Sequence, residues 1–125
     1  MINLLLVGVG GFVGALARYL VSGWVHRLVP FTGFPVGTLV VNVVGCAAIG
    51  FVGGFAELRQ ALSPEARSLV MIGVLGAFTT YSTFSYETLA LARDVELARA
   101  LANVGLHLVL GLVAVWVGGA AARAV

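Results

Sequence analysis

The positions of the charged residues constrain the fold of this chain more than any other feature of its sequence. They leave four long uncharged stretches, at residues 1–17, 28–56, 68–86 and 100–122. Crossing the hydrocarbon core of a bilayer as an α-helix takes about 20 apolar residues. The stretches are apolar all round and lack the alternation that membrane-spanning strands show. The sequence therefore predicts an all-α membrane protein, a single domain at residues 1–125, with transmembrane helices at about residues 2–24, 36–56, 68–92 and 100–122.

The composition excludes a soluble domain and also an intrinsically disordered chain. Apolar residues make up 61% of the chain and charged residues 10%, whereas ordinary soluble domains have about 45–50% and about 25%. All seven Lys and Arg residues are arginines, and no two of them are adjacent. Nucleic-acid binding needs a contiguous basic face, so no nucleic-acid partner is expected. Cys46 is the one cysteine, which excludes an intrachain disulfide.

The arginines near the predicted helix ends are divided almost equally between the two sides of the membrane. The side of the N-terminus has three arginines, Arg59, Arg67 and Arg123. The other side also has three, Arg27, Arg93 and Arg99, and Arg18 lies close to that side. An excess of basic residues on one side sets the orientation of a membrane protein. So small a bias indicates insertion in both orientations, which permits an antiparallel homodimer. A modest bias that still fixes one orientation is the alternative.

Small residues recur at a spacing of four in the first predicted helix. Gly10 and Gly14 are four residues apart, with Arg18 one further step along the same face, and Gly11 and Ala15 repeat the spacing. Such spacing lets helix backbones approach closely within lipid. The pattern predicts tight helix packing and favours a homo-oligomer without identifying a particular partner.

Two polar residues share one face of the second predicted helix. Asn42 lies in its middle, and Thr38 is four residues earlier. An amide in hydrocarbon costs several kcal/mol unless it is hydrogen-bonded, and a hydrogen bond between helices is the usual explanation of a lone Asn. Thr38 extends the polar side chains into a stripe, which weakens that explanation.

The third predicted helix has an unusual concentration of hydroxyl groups near its middle. Five Ser and Thr residues lie between Thr79 and Ser85. A single Ser or Thr usually forms a hydrogen bond back to its own helix, but five so close together indicate a broken helix. A break exposes backbone polar groups, which a membrane protein tolerates only where protein or a water-filled cavity surrounds them. Transporters and channels bind ions at such discontinuous helices. Tyr81 and Phe84 share a face there, either as core packing or with their electropositive ring edges directed at an anion.

Three motifs together resemble the Fluc/CrcB fluoride channels. The segment from Gly10 to Tyr19 resembles the GGxxGAxxRY opening of that family, and the segment from Phe34 to Gly45 resembles its second-helix signature. The segment from Gly76 to Phe84 resembles the third-helix GGxTTFSTF signature, and Glu87 follows at the expected distance. Asn103, near the start of the fourth helix, is a looser match. The resemblance covers essentially the whole chain, in order.

The resemblance implies an antiparallel, dual-topology homodimer of four-helix subunits with two fluoride pathways. By position, Asn42 would be a donor in the pathway beside Tyr81 and Phe84, with Thr38 and Thr83 as polar neighbours. The backbone carbonyls of Gly76 and Thr79 would bind a structural sodium ion at the dimer interface. Arg18 matches the arginine that ends the first motif of the family.

The chain departs from the family pattern at two positions. Tyr81 stands where the family usually has Phe, and its hydroxyl could hold fluoride or obstruct it. Ala77 replaces a usual glycine, which stiffens the predicted break. Several further residues are weaker candidates for the functional site, namely Arg18, Ser82, Glu87, Asn103 and His107. For His107, a neutral imidazole bonded to a neighbouring helix and a pore-lining role are both open.

The function expected from the resemblance is passive export of fluoride across the inner cell membrane, with no catalysis and no organic cofactor. Fluoride, sodium, a second copy of the chain and lipid are the expected partners. One alternative is a small proton-coupled exporter of organic cations, which needs a carboxylate deep in the membrane; the first helix has none, and Glu87 lies toward the end of the third. Another is a non-transporting accessory subunit, which would explain the glycines but not the polar stripe.

Overall fold

The residues that the structure describes form six α-helices and one π-helical segment. A computed structural model describes residues 1–30, 33–59, 62–94 and 96–125, and those ranges contain no strand. The helices are α1 (Ile2–Leu28), α2 (Val36–Arg59), α3 (Pro64–Arg67), the π-helical segment (Ser68–Leu75), α4 (Gly76–Phe78), α5 (Tyr81–Arg93) and α6 (Leu97–Ala124). Within these ranges, four helical spans are long and apolar enough to cross a membrane, Ile2–Leu28, Val36–Arg59, Pro64–Arg93 and Leu97–Ala124. Across the described ranges, the predicted all-α fold with four helices long and apolar enough to span a membrane is confirmed.

The spans extend one to four residues beyond the predicted ranges at most of their ends. The first continues to Leu28 instead of residue 24, and the third begins at Pro64 instead of residue 68. The predicted ranges followed the thickness of the hydrocarbon core, but helical hydrogen bonds remain favourable in the interfacial layer beyond it. Pro64 fits this earlier start, because Ser63 caps it: the Ser63 hydroxyl oxygen accepts from the Ala66 N–H at 3.2 Å.

The third span leaves helical geometry at two residues in its middle. Thr79 has φ −79° and ψ 156°, and Thr80 has φ −148° and ψ 109°, so both backbones are extended. The Thr80 hydroxyl then caps α5 by accepting from the Thr83 N–H at 3.3 Å. Residues 79 and 80 lie at the centre of the 30-residue span Pro64–Arg93. We call them the interruption.

Backbone contacts hold α1 against the first half of the third span. A Cβ on Gly10 would collide with the carbonyl oxygen of Leu69, and one on Gly14 with that of Val74. Gly73 completes the contact, because its position for a Cβ lies 2.9 Å from the Cα of Gly10. The predicted tight packing of the Gly10–Gly14 face is confirmed.

The second half of the third span has a different neighbour. The π-helical segment and α4 pack on α1, whereas α5 packs on α6. α2 and α6 pack closely along their length, with Gly50 against the Val115 carbonyl and Gly118 against the Ala47 carbonyl. The interruption therefore lies where the third span passes from its contact with α1 to its contact with α6. Helix α2 faces the interruption.

Candidate functional site

The side chain of Asn42 binds both backbone polar groups of Thr80. Its Nδ2 donates to the Thr80 carbonyl at 3.1 Å, and its Oδ1 accepts from the Thr80 N–H at 2.8 Å. A peptide group that leaves a helix inside a membrane needs other partners, since unsatisfied groups there cost several kcal/mol. The Asn42 amide supplies both partners. An amide nitrogen has two hydrogens, so one remains after the bond to Thr80.

Because of the interruption, two backbone carbonyls of the third span lose the N–H groups that would donate to them in a continuous helix. In a continuous helix the Gly76 carbonyl would accept from the Thr80 N–H, which instead donates to Asn42. The Thr79 carbonyl would accept from the Thr83 N–H, which instead donates to the Thr80 hydroxyl. Two backbone oxygens near the centre of the span thus lack their regular helical donors. Oxygen atoms of this kind suit a hard cation.

Hydroxyl groups gather around Thr80 on the side of α5. The Thr80 hydroxyl donates to that of Thr83 at 2.9 Å and lies 3.4 Å from that of Ser82. The Thr79 hydroxyl instead bonds back to the Leu75 carbonyl at 3.1 Å. Thr80 itself was not among the candidates from the sequence, although its neighbours were. Thr80 was missed because it acts as the cap of α5, and this cap exists only where the helix is interrupted.

Three rings follow one another beside the interruption. The ring centroids of Tyr81 and Phe84 are 5.5 Å apart at 49°, and those of Phe84 and His107 are 4.4 Å apart at 45°. Together with Asn42, these rings line a recess of about 560 Å³ between α2, α5 and α6. We call it the central recess, and it is also lined by Gly45, Cys46, Gly76, Thr79 and Thr80.

A second recess lies on the other side of Thr80 and has a more basic lining. It has a volume of about 720 Å³ and opens beside α1. Three of the predicted residues line it, Arg18, Thr38 and Thr83, and Thr80 borders both recesses. The structure thus brings Asn42, Tyr81 and Phe84 together but separates them from these three.

Glu87 is held by Thr38 across α2 and α5. The Thr38 hydroxyl, which is buried, donates to Oε1 of Glu87 at 2.8 Å. Oε2 of Glu87 is enclosed and has no hydrogen-bond partner among the described residues. The polar stripe of α2 therefore faces α5 at two levels, with Asn42 at the interruption and Thr38 beside Glu87.

Asn103 is fully buried and connects α6 to the aromatic residues of α5. Its Nδ2 donates to the Thr88 hydroxyl at 2.8 Å, which in turn donates to the Phe84 carbonyl at 2.7 Å. The Asn103 carbonyl lies 3.0 Å from Nδ1 of His107. Thr88 was missed in the sequence, where a Thr one turn after Phe84 has no distinguishing pattern.

The fold and the site define a small membrane protein of four spans, with a polar interruption held by a side-chain amide. Comparison with known sequences gives the family. The sequence model described as CrcB-like protein, Camphor Resistance (CrcB), matches residues 5–119. The chain is 45% identical over 118 residues to fluoride-specific ion channel FluC 1 of Methanosarcina acetivorans, covering 94% of this chain and 88% of the relative.

Other relatives agree. The identity is 49% over 115 residues to the fluoride-specific ion channel FluC of Sulfurovum sp., covering 92% and 89% of the two chains. It is 46% over 118 residues to that of Shewanella amazonensis, covering 94% of each. This chain therefore belongs to the CrcB family.

Proposed function

We propose that this protein is a fluoride-selective channel that lets fluoride leave the cell passively, and that it is not an enzyme. The observation that carries the proposal is the Asn42–Thr80 contact beside Tyr81 and Phe84, at the centre of a membrane span. The similarity to proteins named fluoride-specific ion channels supports the choice of ion. An inside-negative membrane potential drives an anion outward, so no coupled energy source is needed.

The central recess has the chemistry needed to replace the water around a small anion. The free Nδ2 hydrogen of Asn42 and the hydroxyl of Tyr81 are donors, and the ring edge of Phe84 is electropositive. No arginine is among the described residues that line this recess. A fixed cation would bind the ion too strongly for rapid release, so neutral dipoles favour conduction over trapping.

In the proposed pathway, an anion reaches the central recess through the second recess. Arg18 attracts an anion there, and the Thr83 hydroxyl, which accepts from Thr80, has its own hydrogen to donate further in. Thr38 lines the same recess, with its hydroxyl hydrogen donated to Glu87. Because Thr80 borders both recesses, polar groups continue from one to the other. In this proposal the break of the third helix is the section of the pathway between the two recesses, and its extended backbone is tolerated because it lines that pathway.

The proposed assembly is an antiparallel homodimer with dual topology in the inner cell membrane. The near-equal division of arginines supports insertion in both orientations. A sodium ion would be held by the carbonyls of Gly76 and Thr79, which lack their regular donors. When bound, this ion supplies positive charge that offsets the low local dielectric.

Ion efflux from proteoliposomes tests the function. Wild-type protein should release fluoride and retain chloride, and equal release of the two ions would contradict the proposal. Asn42→Ala and Phe84→Leu should each reduce fluoride flux by about tenfold or more, since each removes a contact worth about 1.4 kcal/mol to the ion. Ser85→Ala is the control, because this hydroxyl lies on the same helix outside both recesses. Undiminished flux in both of the first two variants would contradict the site.

A further inference from the structure

Asn103 on α6 is fully buried and has no part in the pathway described so far. It lies outside both recesses, so direct contact with a conducted ion does not explain it. An amide buried within a membrane costs several kcal/mol unless it forms hydrogen bonds. Asn103 forms one hydrogen bond from its side chain and one from its backbone, and both lead to the same residue of the pathway, Phe84.

The side chain of Asn103 reaches the backbone of Phe84 through Thr88. Nδ2 of Asn103 donates to the Thr88 hydroxyl at 2.8 Å, and that hydroxyl donates to the Phe84 carbonyl at 2.7 Å. A hydroxyl has a single hydrogen, so accepting from Asn103 leaves the hydrogen of Thr88 directed at Phe84. Such a chain of hydrogen bonds strengthens each of its members. Helix α6 thereby holds the turn of α5 to which Phe84 belongs.

The backbone of Asn103 reaches the ring of Phe84 through His107. Nδ1 of His107 lies 3.0 Å from the Asn103 carbonyl oxygen, and because a carbonyl only accepts, Nδ1 carries a hydrogen. This bond restrains the imidazole, which packs on the Phe84 ring with the centroids 4.4 Å apart at 45°. Phe84 is therefore held at its carbonyl and at its ring, and both connections start at Asn103.

The direction of the Phe84 ring matters because Phe84 lines the central recess with Asn42. An aromatic ring attracts an anion with its electropositive edge and repels it with its face. Rotation about the bond to the ring exchanges edge and face, and this torsion has only broad intrinsic preferences. A pathway of neutral dipoles that uses a ring edge therefore needs contacts that fix the ring.

We propose that Asn103 is a positioning residue of the fluoride pathway, which keeps the edge of the Phe84 ring directed at the ion through Thr88 and His107. The inference rests on the proposed function. Loss of either connection leaves the Phe84 ring in the recess but free to turn. Fluoride then binds more weakly there, although the four spans still form.

Thr88→Val tests this inference, because it removes the hydroxyl between Asn103 and Phe84 at nearly constant volume. In fluoride efflux from proteoliposomes, the half-saturating fluoride concentration should rise about three- to tenfold, the factor that one lost hydrogen bond supplies. Asn103→Ala removes the same connection from its other end and should give a similar rise. Thr88→Ser keeps the hydroxyl and should match the wild type. A loss of folded protein would instead lower the maximal flux and leave the half-saturating concentration unchanged.

The same substitution in a Phe84→Leu background shows whether Thr88 acts through the ring. Residues that act through one another have non-additive effects, so Thr88→Val should cause no further rise once the ring is absent. An unchanged half-saturating concentration in Thr88→Val alone, or an equal rise in both backgrounds, would overturn the positioning role and leave the channel function intact. No fluoride flux from the wild type would overturn both.

His107→Leu tests the second connection and serves if Thr88→Val fails to fold. It removes the ring that packs on Phe84, so the half-saturating fluoride concentration should rise when Phe84 is present and stay unchanged in the Phe84→Leu background. An equal rise in both backgrounds would show that His107 acts on the ion independently of Phe84, and it would overturn the inference.

Discussion

Asn42 illustrates how one side chain can both hold a backbone and face an ion. Its oxygen and one of its amide hydrogens complete the hydrogen bonds of Thr80, and its second hydrogen is left for the recess. The sequence predicted that Asn42 lies near Tyr81 and Phe84, because these three residues occupy matching positions in the family motifs that the chain resembles. It could not predict the partner, since Thr80 is 38 residues away and becomes available only when the helix is interrupted.

At the same scale, the Thr38–Glu87 hydrogen bond should contribute to stability. Thr38→Val removes the donor to Oε1 and leaves both carboxylate oxygens of Glu87 without a partner among the described residues. We expect a loss of about 1–3 kcal/mol in the free energy of unfolding, measured by thermal unfolding in detergent. Thr38→Ser keeps the hydroxyl and should stay close to the wild type. Equal stability of the Val and wild-type proteins would show that this bond contributes nothing.

Among the elements, the four spans were predictable and the details of the third were not. Charged residues mark the ends of apolar segments directly, so the helices follow from the sequence. The π-helical turn geometry of Ser68–Leu75 has no comparable pattern. This segment packs on α1 through Gly10 and Gly73, which bring the two backbones together.

The contact between α1 and the third span gives a prediction for that helix pair. Gly14→Ala places a methyl group against the Val74 carbonyl, and because backbone cannot rotate away, the helices must separate. We expect a loss of about 1–3 kcal/mol in stability, seen as a lower unfolding temperature and reduced fluoride flux. Gly8→Ala is the matched control on the same helix, because its new methyl group meets nothing within 4 Å of the described chain. Equal unfolding temperatures for the two variants would contradict this packing.

For the whole molecule, the division of arginines predicts both orientations in the membrane. A reporter, Ala124→Cys in a Cys46→Ser background, should react with a membrane-impermeant thiol reagent in about half of the chains in intact cells. The rest should react only after permeabilisation. Adding Val29→Arg at the first loop should shift this balance toward one orientation. Complete labelling from one side without the added arginine would contradict dual insertion.

Passive conduction of fluoride is the central claim, and a reversal potential measures it most directly. With a tenfold fluoride gradient and symmetric chloride across a planar bilayer, the current should reverse about 59 mV from zero, with the sign that fluoride equilibrium requires. Adding a pH gradient or a chloride gradient should leave that potential unchanged. A reversal potential that follows the chloride gradient would contradict selectivity, and one that follows the pH gradient would show proton-coupled transport instead of a channel.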